Sequence, residues 1–228
     1  MTDNTSGMKT EVSVAPWLRL CVTGGIACGK SLVGACLEAL GVAVIEADAV
    51  CHGLMRAGSP LFARIVAAFG REILAPDGDI DRAVLGRRVF GDAVALARLN
   101  ALLHPAAQEA IATWVLARRE EARLQPAAAG CDCVVAIIPL LYEVAWEAAW
   151  DRVICVSAPI ALQWERLRSK GFTEEEIHDR MEVQWPVEDK MKRADYVIFN
   201  AGTQVCAQRQ TVRIMQQIGK HVENSDGR

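Results

Sequence analysis

LRLCVTGGIACGKS, from Leu18 to Ser31, decides the fold. Its first half, LRLCVT (Leu18–Thr23), is a short apolar run stopped by Gly24-Gly25, which reads as a buried strand ended by glycine. Its second half, Gly24-Gly25-Ile26-Ala27-Cys28-Gly29-Lys30-Ser31, fits G-x-x-x-x-G-K-[ST] without a gap. Each fixed residue type has a physical reason. Glycines let the backbone turn its N–H groups inward around phosphate oxygens, and the following helix presents its positive end. Lys30 is placed to reach the β- and γ-phosphates, and the Ser31 hydroxyl to help hold Mg²⁺.

The grammar continues outward from this loop. Residues 31–40 carry apolar side chains at Leu32, Val33, Cys36, Leu37 and Leu40, the spacing of an amphipathic helix that Gly41 ends. VAVIEA (Val42–Ala47) follows as a second strand. A strand, helix and strand in that order imply a parallel sheet with right-handed crossovers. From Asp48 to about Gln125 the pattern is mostly helical: Pro60–Phe69, Arg82–Phe90, Asp92–Leu103 and Pro105–Leu124, with a turn at APDGD (Ala75–Asp79). A helical block between strands reads as an insertion over the sheet. Strands resume at CVVAIIP (Cys133–Pro139), RVICVS (Arg152–Ser157) and DYVIFN (Asp195–Asn200), each apolar along nearly its whole length, as burial on both faces requires. Helical segments fall at 160–169, 173–183 and 203–218. Residues 1–16 are polar and aperiodic, a flexible lead-in.

Composition narrows the class. The chain has 228 residues, 52% hydrophobic and 23% charged, values of an ordinary globular protein rather than a disordered or fibrous one. A formal net charge of -3 disfavours a protein living on nucleic-acid backbone contacts. No apolar stretch reaches the length needed to cross a bilayer, and no secretory leader is visible. The eight cysteines lack a CxxC pair and mostly sit in apolar runs, so they read as small hydrophobes in a reduced, cytoplasmic protein.

A guanine-reading N/T-K-x-D motif is missing, which argues against a GTPase switch. The parts of a small-molecule kinase have candidates. If the second strand keeps its period of two, Glu46 and Asp48 share a face at the C-terminal edge of the sheet, where open α/β proteins bind ligands. Asp48 there can orient or deprotonate an attacking hydroxyl, or instead cap the next helix. His52 lies four residues on, on the same helical face. Arg166 and Lys170 are also four apart and can aim at phosphate together, or form a solvated face. Cys28, near phosphate and a helix N-terminus, invites a lowered pKa, against the plainer reading as a small side chain.

Together these segments resemble the dephospho-coenzyme A kinase family. VTGGIACGKS, VIEADAVCHGL, DIDRAVLGRRVFGD, RLNALLHP, IPLLYE, LQWERL and KMKRADYVIFNAG occur in the family's order and spacing, from about Leu18 to Met215. The resemblance implies an α/β fold of the P-loop NTPase type, three-layered around a parallel sheet, with a helical acceptor-binding insertion and a short lid. It implies a kinase domain over 17–220, with a core of 17–48 and 131–220, an insertion of about 49–130, a lid of about 160–193 and a flexible tail at 221–228. The implied reaction moves the γ-phosphoryl of ATP to the ribose 3′-hydroxyl of 3′-dephospho-CoA, with Mg²⁺, giving CoA and ADP. Asp48, Lys30 and Arg166 are the implied catalytic set. Gly25, Ala27, Cys28, Gly29, Lys30, Ser31, Leu32, Asn200 and Gly202 are the implied nucleotide contacts, and Ser31 the metal ligand. Asp48, His52, Arg82, His104, Pro139, Leu140, Leu141 and Glu143 are the implied acceptor contacts. Arg82 can alternatively pair with Asp79 or Asp81, and His104-Pro105 can be a helix junction. The implied partners are small molecules, without nucleic acid or membrane, for a monomer or small homo-oligomer. Against the family's usual pattern, Ala27-Cys28 replaces Gly-Ser, Leu32 replaces Thr and Glu46 replaces Asp. The lid is one residue short, which puts Lys170 where an Arg is usual. Two other readings share the phosphate loop: a kinase of another small-molecule hydroxyl, and a catalytically silent sensor of ATP or CoA.

Overall fold

The computed structural model describes residues 17–89, 92–124 and 133–225. The expected lead-in at 1–16, the helix end at Phe90, the close of the insertion at 125–130 and residues 226–228 lie outside the described residues. Five strands, β1 (Leu18–Gly24), β2 (Ala43–Glu46), β3 (Cys133–Ile137), β4 (Arg152–Ser157) and β5 (Tyr196–Phe199), form one sheet. Its order is β2-β3-β1-β4-β5, and every pairing is parallel. All five strands therefore end on the same edge, and the chain crosses from one side of β1 to the other between β3 and β4. That switch opens a crevice at the carboxyl ends of the strands.

Burial explains why these segments are strands. Leu20, Val22, Val134, Val135 and Ile154 are fully buried, each contributing about 1.5–3 kcal/mol relative to exposure. One face of the sheet is covered by α1 (Lys30–Ala39), α8 (Val187–Arg193) and α9 (Gln204–Ser225), through Val33, Leu37, Val187, Ala207 and Ile214. The other face packs on Ile111 and Val115 of α5 (Ala93–Leu124), together with Leu141, Tyr142 and Trp150. A third apolar cluster lies in the helical block, where α3 (Pro60–Phe69) and α4 (Arg82–Val89) meet the first half of α5 through Leu61, Ile65, Phe69, Leu85, Leu99 and Leu103. The helix α2 (Ala47–Leu54) leads from β2 into this block. The lid region holds α6 (Ile160–Arg168) and α7 (Glu174–Glu182), the latter begun by a Thr173–Glu176 capping box.

The structure departs from the sequence reading in several places, among them the expected flexible tail at 221–228, where α9 stays helical to Ser225. Asp92–Leu103 and Pro105–Leu124 are one helix, α5, with Pro105 inside it. Pro105 is exposed, while Leu99, Leu103, Ala107, Ile111 and Val115 form an unbroken buried stripe at a spacing of four. Continuous burial along that stripe outweighs the ~3 kcal/mol a helix-interior proline costs. The second strand ends at Glu46, and the chain turns helical at Ala47. The period of two therefore stops before Asp48, and the two carboxylates do not share a strand face. Asp48 is also not the cap of α2: Glu46 is, and Asp48 lies in the first helical turn. Among the described residues no helix is long and apolar enough to cross a membrane.

Candidate active site

Backbone constraint shapes the phosphate loop. Gly24 has φ 142, and a Cβ there would lie 2.0 Å from the Val156 carbonyl oxygen of β4. Gly29 has φ 99, and its Cβ would lie 2.2 Å from Nδ2 of Asn200. That amide nitrogen donates to the Cys28 carbonyl at 2.8 Å, so the residue after β5 is stitched into the loop after β1. Ala27 also takes a left-handed conformation, at φ 54, which costs an L-residue about 1–2 kcal/mol. Ala27→Gly should therefore raise stability by about 0.5–1 kcal/mol after the extra freedom of the unfolded glycine is subtracted. Thermal melting checks this, and a lower melting temperature would show that Ala27 carries no strain.

Lys30 begins α1, and its Nζ donates to the carbonyls of Gly24 and Gly25 at 3.0 and 2.8 Å. The ammonium thus caps its own loop. Burial lowers its pKa, Lys190 lowers it further, and the Cys28 and Asp48 side chains act in the opposite direction. Asp48 is exposed at the entrance of α2, with its charge felt at Lys30. Ser31 is exposed in the first turn of α1, an oxygen donor of the kind Mg²⁺ takes. Leu32 packs against the sheet core.

Arg166 joins two of the strand ends. Its Nη1 donates to the Ala27 carbonyl at 2.9 Å, and its Nη2 to the Asn200 carbonyl at 3.0 Å. Lys170 is not its helical companion, because α6 ends at Arg168 and Lys170 sits in the following turn. The buried Gln163 holds α6 to the end of β4 by donating to the Ala158 carbonyl at 2.8 Å. Gly202 has ordinary room for a Cβ, 3.7 Å from the Cys206 sulfur, and does not impose a glycine.

Cys28 does not carry a lowered pKa. Burial pushes its thiol up, outweighing the opposing effects of Lys30 and Arg166. Alkylation at neutral pH should mark the exposed Cys206 while Cys28 stays unmodified, as read by peptide mass mapping. Modification of Cys28 that ATP prevents would contradict this.

The remaining candidates divide by element. His52, Met55, Asp79 and Arg82 line a cavity of about 270 Å³ in the helical block. Arg82 also lines a second one, of about 360 Å³, with Arg87 of α4 facing Asp179 and Arg180 of α7. The two aspartates read as alternative partners of Arg82 bond elsewhere: Asp79 accepts from the Ala57 N–H, and Asp81 accepts from the N–H groups of Ala83 and Val84, capping α4. His104 is half-buried inside α5, not at a helix junction, and burial lowers its pKa. After β3, Pro139 and Leu140 are partly exposed, whereas Leu141 is fully buried in the sheet core. Glu143 pairs with the buried Lys190 at 2.7 Å, a partner the sequence reading missed. A larger cavity, about 790 Å³, opens elsewhere, beside Trp17 and Asp151 at the amino ends of β1 and β4.

The family described as dephospho-CoA kinase matches residues 18–205. The chain belongs to the dephospho-CoA kinase family. A relative from Geobacillus kaustophilus, named dephospho-CoA kinase, is 42% identical over 201 residues, covering 88% of this chain and 96% of its own length. One from Anaeromyxobacter dehalogenans with the same name is 46% identical over 182 residues, covering 79% and 82%. Among solved structures, the dephospho-CoA kinase of Campylobacter jejuni superposes with a TM-score of 0.62 at 27% identity, covering 89% of this chain and 98% of its own. TT1252 from Thermus thermophilus superposes with a TM-score of 0.73 at 28% identity, covering 90% and 98%. Membership makes the chain an ATP-dependent kinase on a P-loop α/β core, which is the fold the sheet order displays.

Proposed function

We propose that this chain transfers the γ-phosphoryl of ATP to the ribose 3′-hydroxyl of 3′-dephospho-CoA, forming CoA and ADP, the last step of coenzyme A synthesis. The observation that carries the reading is the gathering of Lys30, Asp48, Arg166 and Asn200 at the carboxyl edge of one parallel sheet. In this reading residues 24–31 cradle the phosphates, and Lys30 leaves the carbonyls of Gly24 and Gly25 to neutralise charge on the phosphoryl in transit. Asp48 holds the acceptor hydroxyl and takes its proton. Arg166, already against Ala27 and Asn200, supplies a second positive charge beside the phosphates. Ser31 is the residue whose hydroxyl would hold Mg²⁺, and the bound ion would neutralise charge on the phosphate oxygens of ATP.

The helical insertion of about 49–130 receives the acceptor. Its His52–Arg82 cavity and the Arg82–Arg87–Arg180 cavity flank α4 with guanidinium groups suited to an anionic diphosphate. Segment 160–193 acts as a lid that excludes water, which would otherwise compete as acceptor. The protein works on small molecules in the cytoplasm. A coupled assay for ADP should show turnover with dephospho-CoA and far less with adenosine, AMP or shikimate. Equal or faster turnover with one of those three would transfer the assignment to another hydroxyl.

A further inference from the structure

Lys190 sits in a run of charges, Glu188 to Arg193, that composition alone assigns to solvent. It is instead fully buried, 0% exposed, while Glu188, Lys192 and Arg193 around it are exposed. A buried ammonium needs compensation, and its Nζ has two partners, Glu143 Oε1 at 2.7 Å and the Pro139 carbonyl at 2.8 Å. Both belong to the loop after β3. Each partner is shared. Glu143 Oε1 also accepts the Trp185 N–H at 2.8 Å, at the exit of the lid. The Pro139 carbonyl also accepts the hydroxyl of Thr23, the residue before the phosphate loop, at 3.3 Å.

Around this pair the same two segments grip each other again. The Trp185 and Tyr142 rings stack 6.1 Å apart, and the Arg193 guanidinium lies over both, at 5.3 and 5.2 Å. Arg193 also pairs with Glu147 at 3.0 Å. At the other end of α8, Val187 stands 3.5 Å from where a Cβ on Gly25 would be. The segment 185–193 therefore touches the phosphate loop with one end and the loop after β3 with the rest.

We propose that Lys190 is a positioning residue for phosphoryl transfer: through Glu143 and the Pro139 carbonyl it fixes the lid's C-terminal anchor and the loop after β3 to the phosphate loop as one body. In-line transfer needs donor and acceptor held within a fraction of an ångström, and this joint ties the phosphate loop to the loop after β3 and the lid's anchor. Lys190 is fully buried and acts through its two partners. Its charge does reach Lys30, adding to the burial that lowers the Lys30 pKa. Glu143 depends on it in turn, since Oε2 of that carboxylate is buried without a hydrogen-bond partner.

The test compares Lys190→Met with the double variant Lys190→Met/Glu143→Gln. The single change strands a buried carboxylate and should lower the melting temperature. Neutralising both partners of a buried pair is commonly tolerated, so the double variant should melt near the parent and bind ATP like it. Its kcat should nevertheless fall about 100-fold, the cost of a displacement of roughly 1 Å. The ratio of ATP hydrolysed to CoA formed should rise, because a loosened lid admits water. Recovery of kcat along with the melting temperature would reduce the pair to a structural contact and overturn the proposal. So would parental kcat in the single variant, or a double variant that melts no higher than the single one. The inference rests on the proposed reaction, and turnover of the unaltered protein is the control that separates the two: no turnover there sinks the reaction itself.

Discussion

Asp48→Ala is expected to keep ATP binding and to lose about 10³-fold in kcat, the middle of the range for removing a positioned acid–base group. The carboxylate is exposed, so little of the loss should come from unfolding. What it forfeits structurally is one favourable charge in the first turn of α2, about 0.3–1 kcal/mol. Nucleotide affinity should hold because the phosphate loop gives no hydrogen bond to Asp48; its own contacts run to Lys30, Asn200 and Arg166. Steady-state kinetics together with a nucleotide titration read both quantities. A variant with near-normal kcat would remove Asp48 from the chemistry, and one that no longer binds ATP would make its role electrostatic support of Lys30.

Gly29→Ala should have the largest effect on the loop itself. The left-handed backbone at φ 99 costs an L-residue about 1–2 kcal/mol. The new Cβ would collide with the Asn200 amide at 2.2 Å and displace it from the Cys28 carbonyl, stranding a buried donor for about 1–3 kcal/mol more. A total of about 3 kcal/mol corresponds to roughly 6–12 °C in melting temperature for a protein of this size. Because Asn200 also receives Arg166, the clamp between the ends of β1 and β5 opens with it, and ATP affinity should fall as well. Unchanged melting and affinity would show that the Gly29–Asn200 contact is not part of the loop's architecture.

Much of the fold was legible because the relevant physics is local. β4 and α3 have the bounds read from sequence, Arg152–Ser157 and Pro60–Phe69. The first is a continuous apolar run, and the second is announced by Ser59-Pro60, whose serine does cap the helix by accepting the Phe62 N–H at 3.0 Å. The phosphate loop was legible for the same reason, since glycine positions and a Lys-Ser pair state a backbone geometry directly. What failed was non-local. Pro105 reads as a break by its own chemistry, but it is exposed, and the buried stripe from Leu99 to Val115, which packs into both cores, keeps the helix whole. The helical turn at Ala47 is set by the packing of α2 on α5, so the strand's alternation gave the wrong neighbour for Asp48. Lys190 carries no mark of burial in a run of exposed charges, and its partner Glu143 lies far away along the chain. The family resemblance names Glu143 as an acceptor contact, and the structure adds that its carboxylate receives Lys190 and the Trp185 N–H.

The central claim is that the loop at 24–31 and the carboxylate of Asp48 together act on a sugar hydroxyl. The most direct measurement incubates the purified protein with Mg²⁺, ATP and dephospho-CoA and reads the ³¹P spectrum of the product. A new phosphomonoester resonance on the ribose 3′ position, with one ADP formed for each, is the predicted result. ADP formed without that resonance, or dephospho-CoA left unchanged beside a control kinase that consumes it, would contradict the account.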